Sequence, residues 1–175
     1  MKISDIPKFI QESNYEPTFS FGSIERELKK YEEDYALELN PDFQRGHVWT
    51  EEQQIAYVEF LLKGGKTANV IYFNCPYFPE CKEDDDEMDM VCVDGLQRIT
   101  ALRRFLNNEI KVFDHYLNEF EDANILKRKY SIRFNINNLK TRREVLKWYL
   151  DFNTGGTIHS KTEIERVKQL LNECR

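Results

Sequence analysis

The feature that most constrains the fold is a strand, a tight turn and a helix that follow one another over residues 90–106. Residues 90–93 are apolar or well tolerated in strands, and they end at Asp94-Gly95, a pair that breaks strands. Beyond the turn, apolar residues recur at the spacing of one helix face, at Ile99, Leu102, Phe105 and Leu106. The pattern predicts a buried strand that passes directly into an amphipathic helix.

The start of this helix is a candidate anion-binding site, because the first amides of a helix lack intrahelical acceptors and the helix dipole favours negative charge there. Arg98 offers a fork of donors suited to phosphate, Gln97 both donates and accepts, and Asp94 supplies a carboxylate for magnesium or water. These side chains suit a nucleotide phosphate. The alternative is a plain helix cap at Asp94-Gly95, with Arg98 bridged to an exposed carboxylate and Gln97 solvated.

The stretch from residue 93 to residue 102, Val-Asp-Gly-Leu-Gln-Arg-Ile-Thr-Ala-Leu, resembles the Asp-Gly-Gln-Gln-Arg signature of the GmrSD restriction endonuclease N-terminal domain family. That family is itself similar to the ParB and sulfiredoxin superfamily. Two further blocks resemble the family in the same order, residues 41–49 upstream and residues 152–157 followed by Glu163 downstream. One position departs from the signature, since Leu96 stands where the family usually has its first glutamine.

Predicted strands and helices alternate without a regular βαβ rhythm, which indicates an α+β fold with a small mixed sheet packed by four or five helices. This agrees with the ParB/sulfiredoxin-like single domain that the resemblance implies. The resemblance also implies a nucleotide-binding, NTP-hydrolysing module of a restriction or anti-phage system, with a nucleoside triphosphate as ligand and magnesium as cofactor at Asp94. Asp94 and Arg98 are the expected catalytic residues, and His159 is a candidate for proton transfer. The expected nucleotide-binding residues are Gln44, Arg45, Asp94, Gly95, Gln97, Arg98, Asn153, Gly155, Gly156 and Glu163.

Two of these blocks also have simpler interpretations. In residues 42–49, Phe43, Val48 and Trp49 would pin a connector to the core while Arg45 pairs with an acid. In residues 151–160, the glycines would form a turn between two helices, the second of them capped by Ser160.

The chain is expected to consist of an N-terminal arm, residues 1–22, with a short strand near residues 18–21, and one domain, residues 23–175, with an acidic loop at residues 76–89. A first helix is predicted over residues 23–31. Thr50 with Gln53 and Thr141 with Glu144 form capping-box patterns that open two later helices, and Gly64-Gly65 predicts a left-handed helix end. The predicted strands of the sheet are residues 36–39, 70–73, 90–93, 109–113 and 130–136.

Charge is distributed unevenly along the 175 residues, whose net charge is −6. Residues 80–89 carry seven acids and one lysine, whereas residues 96–175 carry sixteen Lys and Arg against ten Asp and Glu. The basic half permits a nucleic-acid footprint, although a solvated helix surface is the simpler interpretation. No apolar run approaches the ~20 residues of a membrane helix, and there is no secretory h-region, so we expect a cytoplasmic protein without a membrane partner.

The resemblance implies that family enzymes join this domain to an HNH-type nuclease domain, whereas we expect this chain to be a stand-alone domain without the nuclease part. The expected partners are therefore a nucleotide, a separate nuclease subunit or other protein, and nucleic acid. A second hypothesis is a catalytically inactive scaffold that binds a protein or nucleic-acid partner. A third, weaker hypothesis is direct nuclease action by analogy with ParB-like nucleases, dependent on Asp94.

Overall fold

The computed structural model describes residues 15–44, 46, 48–79, 89–154 and 161–174, with the backbone alone for residues 152–154 and 161–163. Its elements are α1 (Ile24–Tyr35), α2 (Glu51–Leu62), α3 (Leu96–Leu106), α4 (Ala123–Lys129), α5 (Arg142–Thr154) and α6 (Lys161–Glu173), with strands β1 (Thr18–Ser20), β2 (Val70–Asn74), β3 (Val91–Asp94) and β4 (Ser131–Asn137). The mixed α+β class is confirmed. The described part contains six α-helices rather than four or five.

The four strands form one mixed sheet in the order β1-β4-β2-β3. The central pair, β2 and β4, is parallel, and the outer pairs are antiparallel. Because β3 runs against β2, its last residue, Asp94, pairs with Tyr72, the first residue of β2 that takes part in this pairing. The register therefore places the turn that follows β3 beside the loop that leads into β2.

The sheet separates two apolar clusters, as the period of two in a strand requires. In β4, Ile132, Phe134 and Ile136 face the cluster formed with α1, α2 and α3. On the opposite face, Val93 packs with Trp148 and other residues of α5 and α6. The predicted strand is present as Ser131–Asn137, and its apolar residues share one face as the alternation predicted. It is more than half-buried, because helices cover both faces of the sheet and Asn135 and Asn137 on the other face are buried as well.

The predicted helix ends are confirmed in three places. Thr50 accepts from the backbone N–H of Gln53 while the Gln53 side chain accepts from Thr50, and Thr141 and Glu144 exchange the same bonds. Gly64 has φ +89° after α2, and the amides of residues 64 and 65 donate back to the carbonyls of residues 61 and 60. These caps fix the boundaries of α2 and the start of α5.

Two predicted strands are wrong. Residues 36–39 contribute only an isolated bridge from Glu38 to Val91, because α1 continues to Tyr35 and ends with Ala36 in the left-handed conformation at φ 46°. Residues 109–113 contribute only the bridge from Val112 to His115, since Phe113 and Asp114 both have positive φ and reverse the chain. Local backbone reversals therefore reduce five predicted strands of the sheet to three, and β1 adds the fourth.

Within the described ranges, no helix combines the length and the apolar character that crossing a bilayer requires. The side chains of Cys75 and Cys92 are buried, and that of Cys174 is partly exposed. Cys81 lies outside the described residues. The acidic loop overlaps residues 80–88, which are also outside them.

Candidate functional site

The predicted strand–turn–helix unit is present, and Gly95 forms its turn at the N-terminus of α3. Gly95 has φ +122° and ψ 5°, a backbone conformation that L residues rarely adopt. A β-carbon at this position would also lie 2.6 Å from Ile71 Cδ1 and 2.9 Å from its Cγ2. Glycine is therefore required here both by the turn and by the close approach of α3 to β2.

Arg98 fastens this turn to the loop before β2. One terminal nitrogen donates to the carbonyl of Val70 at 2.7 Å and to that of Ala68 at 3.4 Å, and the other pairs with Asp94 Oδ2. The Arg98 side chain is only 13% exposed. Arg98 therefore pairs with Asp94, a partly buried carboxylate of its own motif. The alternative in which Asp94-Gly95 only caps the helix predicted a pair with an exposed carboxylate.

Gln97 holds the loop of the second motif block against α3. Its side-chain oxygen accepts from the backbone amides of Val48 at 2.9 Å and Trp49 at 3.0 Å, and its nitrogen donates to the carbonyl of Gly46 at 2.6 Å. The amide thus satisfies three backbone groups of one loop. The sequence did not indicate that Gln97 would bond to backbone groups about fifty residues earlier in the chain.

The same loop is attached at its other end. Gln44 donates from its side chain to the carbonyl of Cys92 in β3, and Phe43 packs against Tyr149 of α5 with ring centroids 5.2 Å apart. Phe43 is buried, as the connector interpretation predicted, but Val48 is half exposed. Arg45 and His47 lie outside the described residues, between positions that are tied to β3 and α3.

We expect Gln97→Ala to lower the free energy of unfolding by about 2 kcal/mol, because it leaves partly buried backbone groups without partners. Hydrogen exchange followed by NMR should show faster exchange at the Val48 and Trp49 amides. Gln53→Ala is the matched control, since that side chain caps Thr50 and should leave both amides protected. Unchanged exchange of both amides in Gln97→Ala would contradict the role of this side chain.

The helices before and after the third motif block both contact the start of the second block, at Asp42. Arg142 of α5 donates to both carboxylate oxygens of Asp42 at 2.7 Å, and Arg166 of α6 donates to the Asp42 carbonyl. The hydrogen bond with Asp42 raises the pKa of Arg142 above its ordinary value. Both helices that flank the third block therefore hydrogen-bond to the first residues of the loop that contains the second block. The sequence did not predict this contact.

The structure describes only some of the predicted site residues of the third block. Asn153 lies in α5 and Glu163 in α6, with their backbones described. Gly155, Gly156 and His159 are outside the described residues. Their roles stay predictions.

Tyr72 is a polar residue near the motif that the sequence analysis assigned only to a buried strand. Burial raises the pKa of its hydroxyl, and the charges of Arg98 and Asp94 act on it in opposite directions. Glu16 and Arg133 form a second ion pair whose charges also reach this hydroxyl. The polar surroundings of the turn therefore extend across the sheet towards β4.

Cys92 lies beneath the turn and is fully buried. Burial raises the pKa of its thiol to about 12, and the negative charge of Asp94 adds to that effect. The thiol stays protonated at neutral pH, so Cys92 serves packing and not nucleophilic chemistry.

The residues near the turn could hold a magnesium ion only if a bound nucleotide supplied most of the oxygen atoms around the ion. Among the described residues, no three His, Cys, Asp or Glu side chains are grouped to hold a metal ion. Asp94 accepts from Arg98 through Oδ2, and within the described ranges no donor reaches its Oδ1. One carboxylate oxygen is compatible with a magnesium ion that is carried mainly by phosphates and water.

Comparison with protein families bears on this arrangement of motif blocks. Residues 24–171 match the family model described as GmrSD restriction endonuclease, N-terminal domain. The chain belongs to this family. The match includes all three motif blocks, and it places this GmrSD N-terminal domain among the modules of restriction systems that act in phage defence. Searches of curated proteins and of solved structures returned no significant match.

Proposed function

We propose that this GmrSD N-terminal domain binds a nucleoside triphosphate at the start of α3, between the 94–98 turn and the 44–49 loop. The observation that carries the proposal is the set of three hydrogen bonds from Gln97 to the loop backbone. Through them, two motif blocks that are about fifty residues apart in sequence form one surface. Arg45 belongs to the part of the loop that Gln44 and Gln97 anchor at its two sides.

The positive potential for phosphates would come from the first amides of α3 and from Arg45. Arg98 acts in this proposal through Asp94, because its described hydrogen bonds go to Asp94, Val70 and Ala68. Direct contact between Arg98 and a phosphate oxygen stays a prediction. The Asp94 oxygen opposite to Arg98 would hold a magnesium ion, which neutralises phosphate charge when it is bound.

Hydrolysis would require a water molecule in line with the terminal phosphate and a group that takes its proton. Asp94 is the candidate for orienting that water, and His159 is the candidate for proton transfer. Asn153, Gly155, Gly156 and Glu163 remain candidates for further contacts with the nucleotide from the third block.

Isothermal titration with ATP, GTP, CTP and UTP, each with magnesium and then with EDTA, tests the proposal. We expect binding of at least one nucleotide and a loss of about 10- to 100-fold in affinity for Arg45→Ala, the range for removing a charge-assisted hydrogen bond. Arg103→Ala is the control, because this α3 residue pairs with Glu25 on the surface. Absence of binding by all four nucleotides, or unchanged affinity in Arg45→Ala or Arg98→Ala, would overturn the proposal.

A second candidate function is a scaffold that performs no chemistry. It is favoured because the motif side chains bond to other parts of the same chain. Gln97 bonds to the loop backbone, and Arg98 bonds to Asp94 and to two backbone carbonyls. Leu96 at the position of the usual glutamine points the same way. Thermal-shift screening distinguishes the two functions, because a scaffold should melt at the same temperature with every nucleotide and should retain its partner when nucleotide is removed.

A further inference from the structure

Two clefts adjoin each other at the edge strand β1, away from the motif blocks. The first has a volume of about 530 Å³ and lies between β1 and α4, and the second has about 330 Å³ and lies between β1 and the loop after α2. Thr18 lines both clefts. The two depressions therefore form one continuous surface, which we call the β1 surface.

The β1 surface is strongly basic in a chain of net charge −6. The first cleft is lined by Arg26, Lys127 and Arg128 and the second by Lys66, Lys129 and Arg133, and neither is lined by an acid. Four of these cations, at positions 127, 128, 129 and 133, belong to the basic half of the sequence. Charges that the sequence only counted are therefore brought onto one face by the fold.

Two of these six cations are paired with acids, and the other four have no acidic partner within the part of the chain that the structure describes. Arg26 pairs with Glu27 at 2.7 Å, and Arg133 lies 3.5 Å from Glu16. Among the described residues, no carboxylate lies within ion-pair distance of Lys66, Lys127, Arg128 or Lys129. All except Lys127 are exposed. Uncompensated charges that share a surface attract a polyanion more strongly than paired ones do.

The uncharged lining indicates which polyanion fits. Thr18 lines both clefts and Ser131 lines the second, and phosphate oxygens accept from hydroxyl donors of this kind. Ser20 and Ser23 also line the first cleft, where the Ser23 hydroxyl donates to the Ser20 carbonyl. The aromatic residues of the clefts, Phe19, Phe21 and Tyr130, are buried or partly buried. Since single strands are held by bases that stack on accessible aromatic rings, this lining favours contacts with the phosphates of a duplex.

We propose that the β1 surface binds the phosphate backbone of double-stranded DNA without reading its sequence. The second cleft also includes Asn69, and the carbonyl of its neighbour Ala68 accepts from Arg98. Bound DNA would thus lie next to the loop that the Asp94–Arg98 pair supports. The proposal does not depend on nucleotide binding, because none of the six cations belongs to the motif blocks.

Fluorescence anisotropy with a labelled 20-base-pair duplex of arbitrary sequence tests this surface on the full chain. Each phosphate contact contributes about 0.9 to the slope of log affinity against log salt, so four contacts predict a slope of about −3.6 and a loss of about 150-fold between 50 and 200 mM salt. A second duplex of different sequence should bind with the same affinity.

The double variant Lys66→Gln with Arg128→Gln removes one exposed cation from each cleft. We expect its slope to fall to about −1.8 and its affinity at 100 mM salt to fall about 60-fold. The matched control is Lys30→Gln with Lys147→Gln, which changes the net charge equally at exposed residues outside the clefts. The control should retain the wild-type slope, and both variants should keep the wild-type melting temperature.

Three results would overturn the proposal: no binding of duplex DNA at 50 mM salt, an equal loss in the control variant, or displacement of the duplex by poly-glutamate at the same charge concentration. The last result would assign the surface to an acidic protein. Arg45→Ala should leave DNA affinity unchanged, so failure of the nucleotide proposal would be distinguishable from failure of this one.

Discussion

Gly95→Ala is expected to lower the free energy of unfolding by about 4 kcal/mol. The added β-carbon would meet Ile71 Cδ1 at 2.6 Å and the Ile71 Cα at 3.3 Å, so both a side chain and the β2 backbone would have to move. The φ of +122° adds conformational strain for any L residue. Urea unfolding measured by circular dichroism should detect the loss of free energy, and thermal unfolding should show a fall in melting temperature of about 12 °C.

Gly64→Ala provides the matched control for this effect. Gly64 also has positive φ, +89°, but a β-carbon there would meet nothing within 4 Å. Its substitution should cost about 1 kcal/mol, the strain of the left-handed conformation alone. The difference between the two variants measures the close packing of the α3 turn against β2. Equal losses in both variants would show that this packing has no special importance.

Arg98→Ala is expected to cost about 3 kcal/mol, the second largest effect. The substitution removes the Arg98 donor from the carbonyl of Val70 and leaves Asp94 without its counter-charge in a partly buried position. The carbonyl of Ala68 loses its weaker donor and still accepts from the Tyr57 hydroxyl at 3.0 Å. Arg98→Lys should recover part of the loss, because one ammonium can pair with Asp94 but cannot reproduce the planar fork. Urea unfolding of the three proteins gives the comparison.

Arg103 of the same helix is the control for Arg98. Its pair with Glu25 is short, at 2.6 Å, but both side chains are about 40% exposed. Such a surface pair contributes less than about 1 kcal/mol. If Arg98→Ala costs no more than Arg103→Ala, the Arg98 network does not stabilise the turn, and loss of nucleotide binding in Arg98→Ala would then point to a direct contact with phosphate.

Substitutions in the 94–98 turn are expected to change two properties at once. Asp94, Gln97 and Arg98 stabilise the unit on which the proposed site depends, so their substitution changes both stability and ligand affinity. Arg45 separates the two effects better, because it is flanked by the anchored positions Gln44 and Gly46 and is not itself required for the described hydrogen bonds. A variant at Arg45 is therefore the more direct test of nucleotide binding.

Sequence reasoning succeeded where the relevant interactions are local. The strand–turn–helix unit, the capping boxes at Thr50 and Thr141 and the alternation of β4 all depend on neighbours within a few residues. It failed for residues 36–39 and 109–113, whose composition suits a strand, because single residues with positive φ reverse the backbone there. One reversal is the left-handed end of α1 at Ala36, and the other is the turn at Phe113 and Asp114 after α3.

The sequence by itself determined the class of the fold, the family and the three motif blocks, because period, turn residues and motif order are properties of short stretches. Only the tertiary structure decided what the motif side chains hold: Gln97 the loop of residues 46–49, Arg98 the start of β2, and Arg142 with Arg166 the residue Asp42. It also decided that six cations meet around β1. Such contacts join residues far apart in the chain, and the distance between two residues in space is set by the packing of the whole domain.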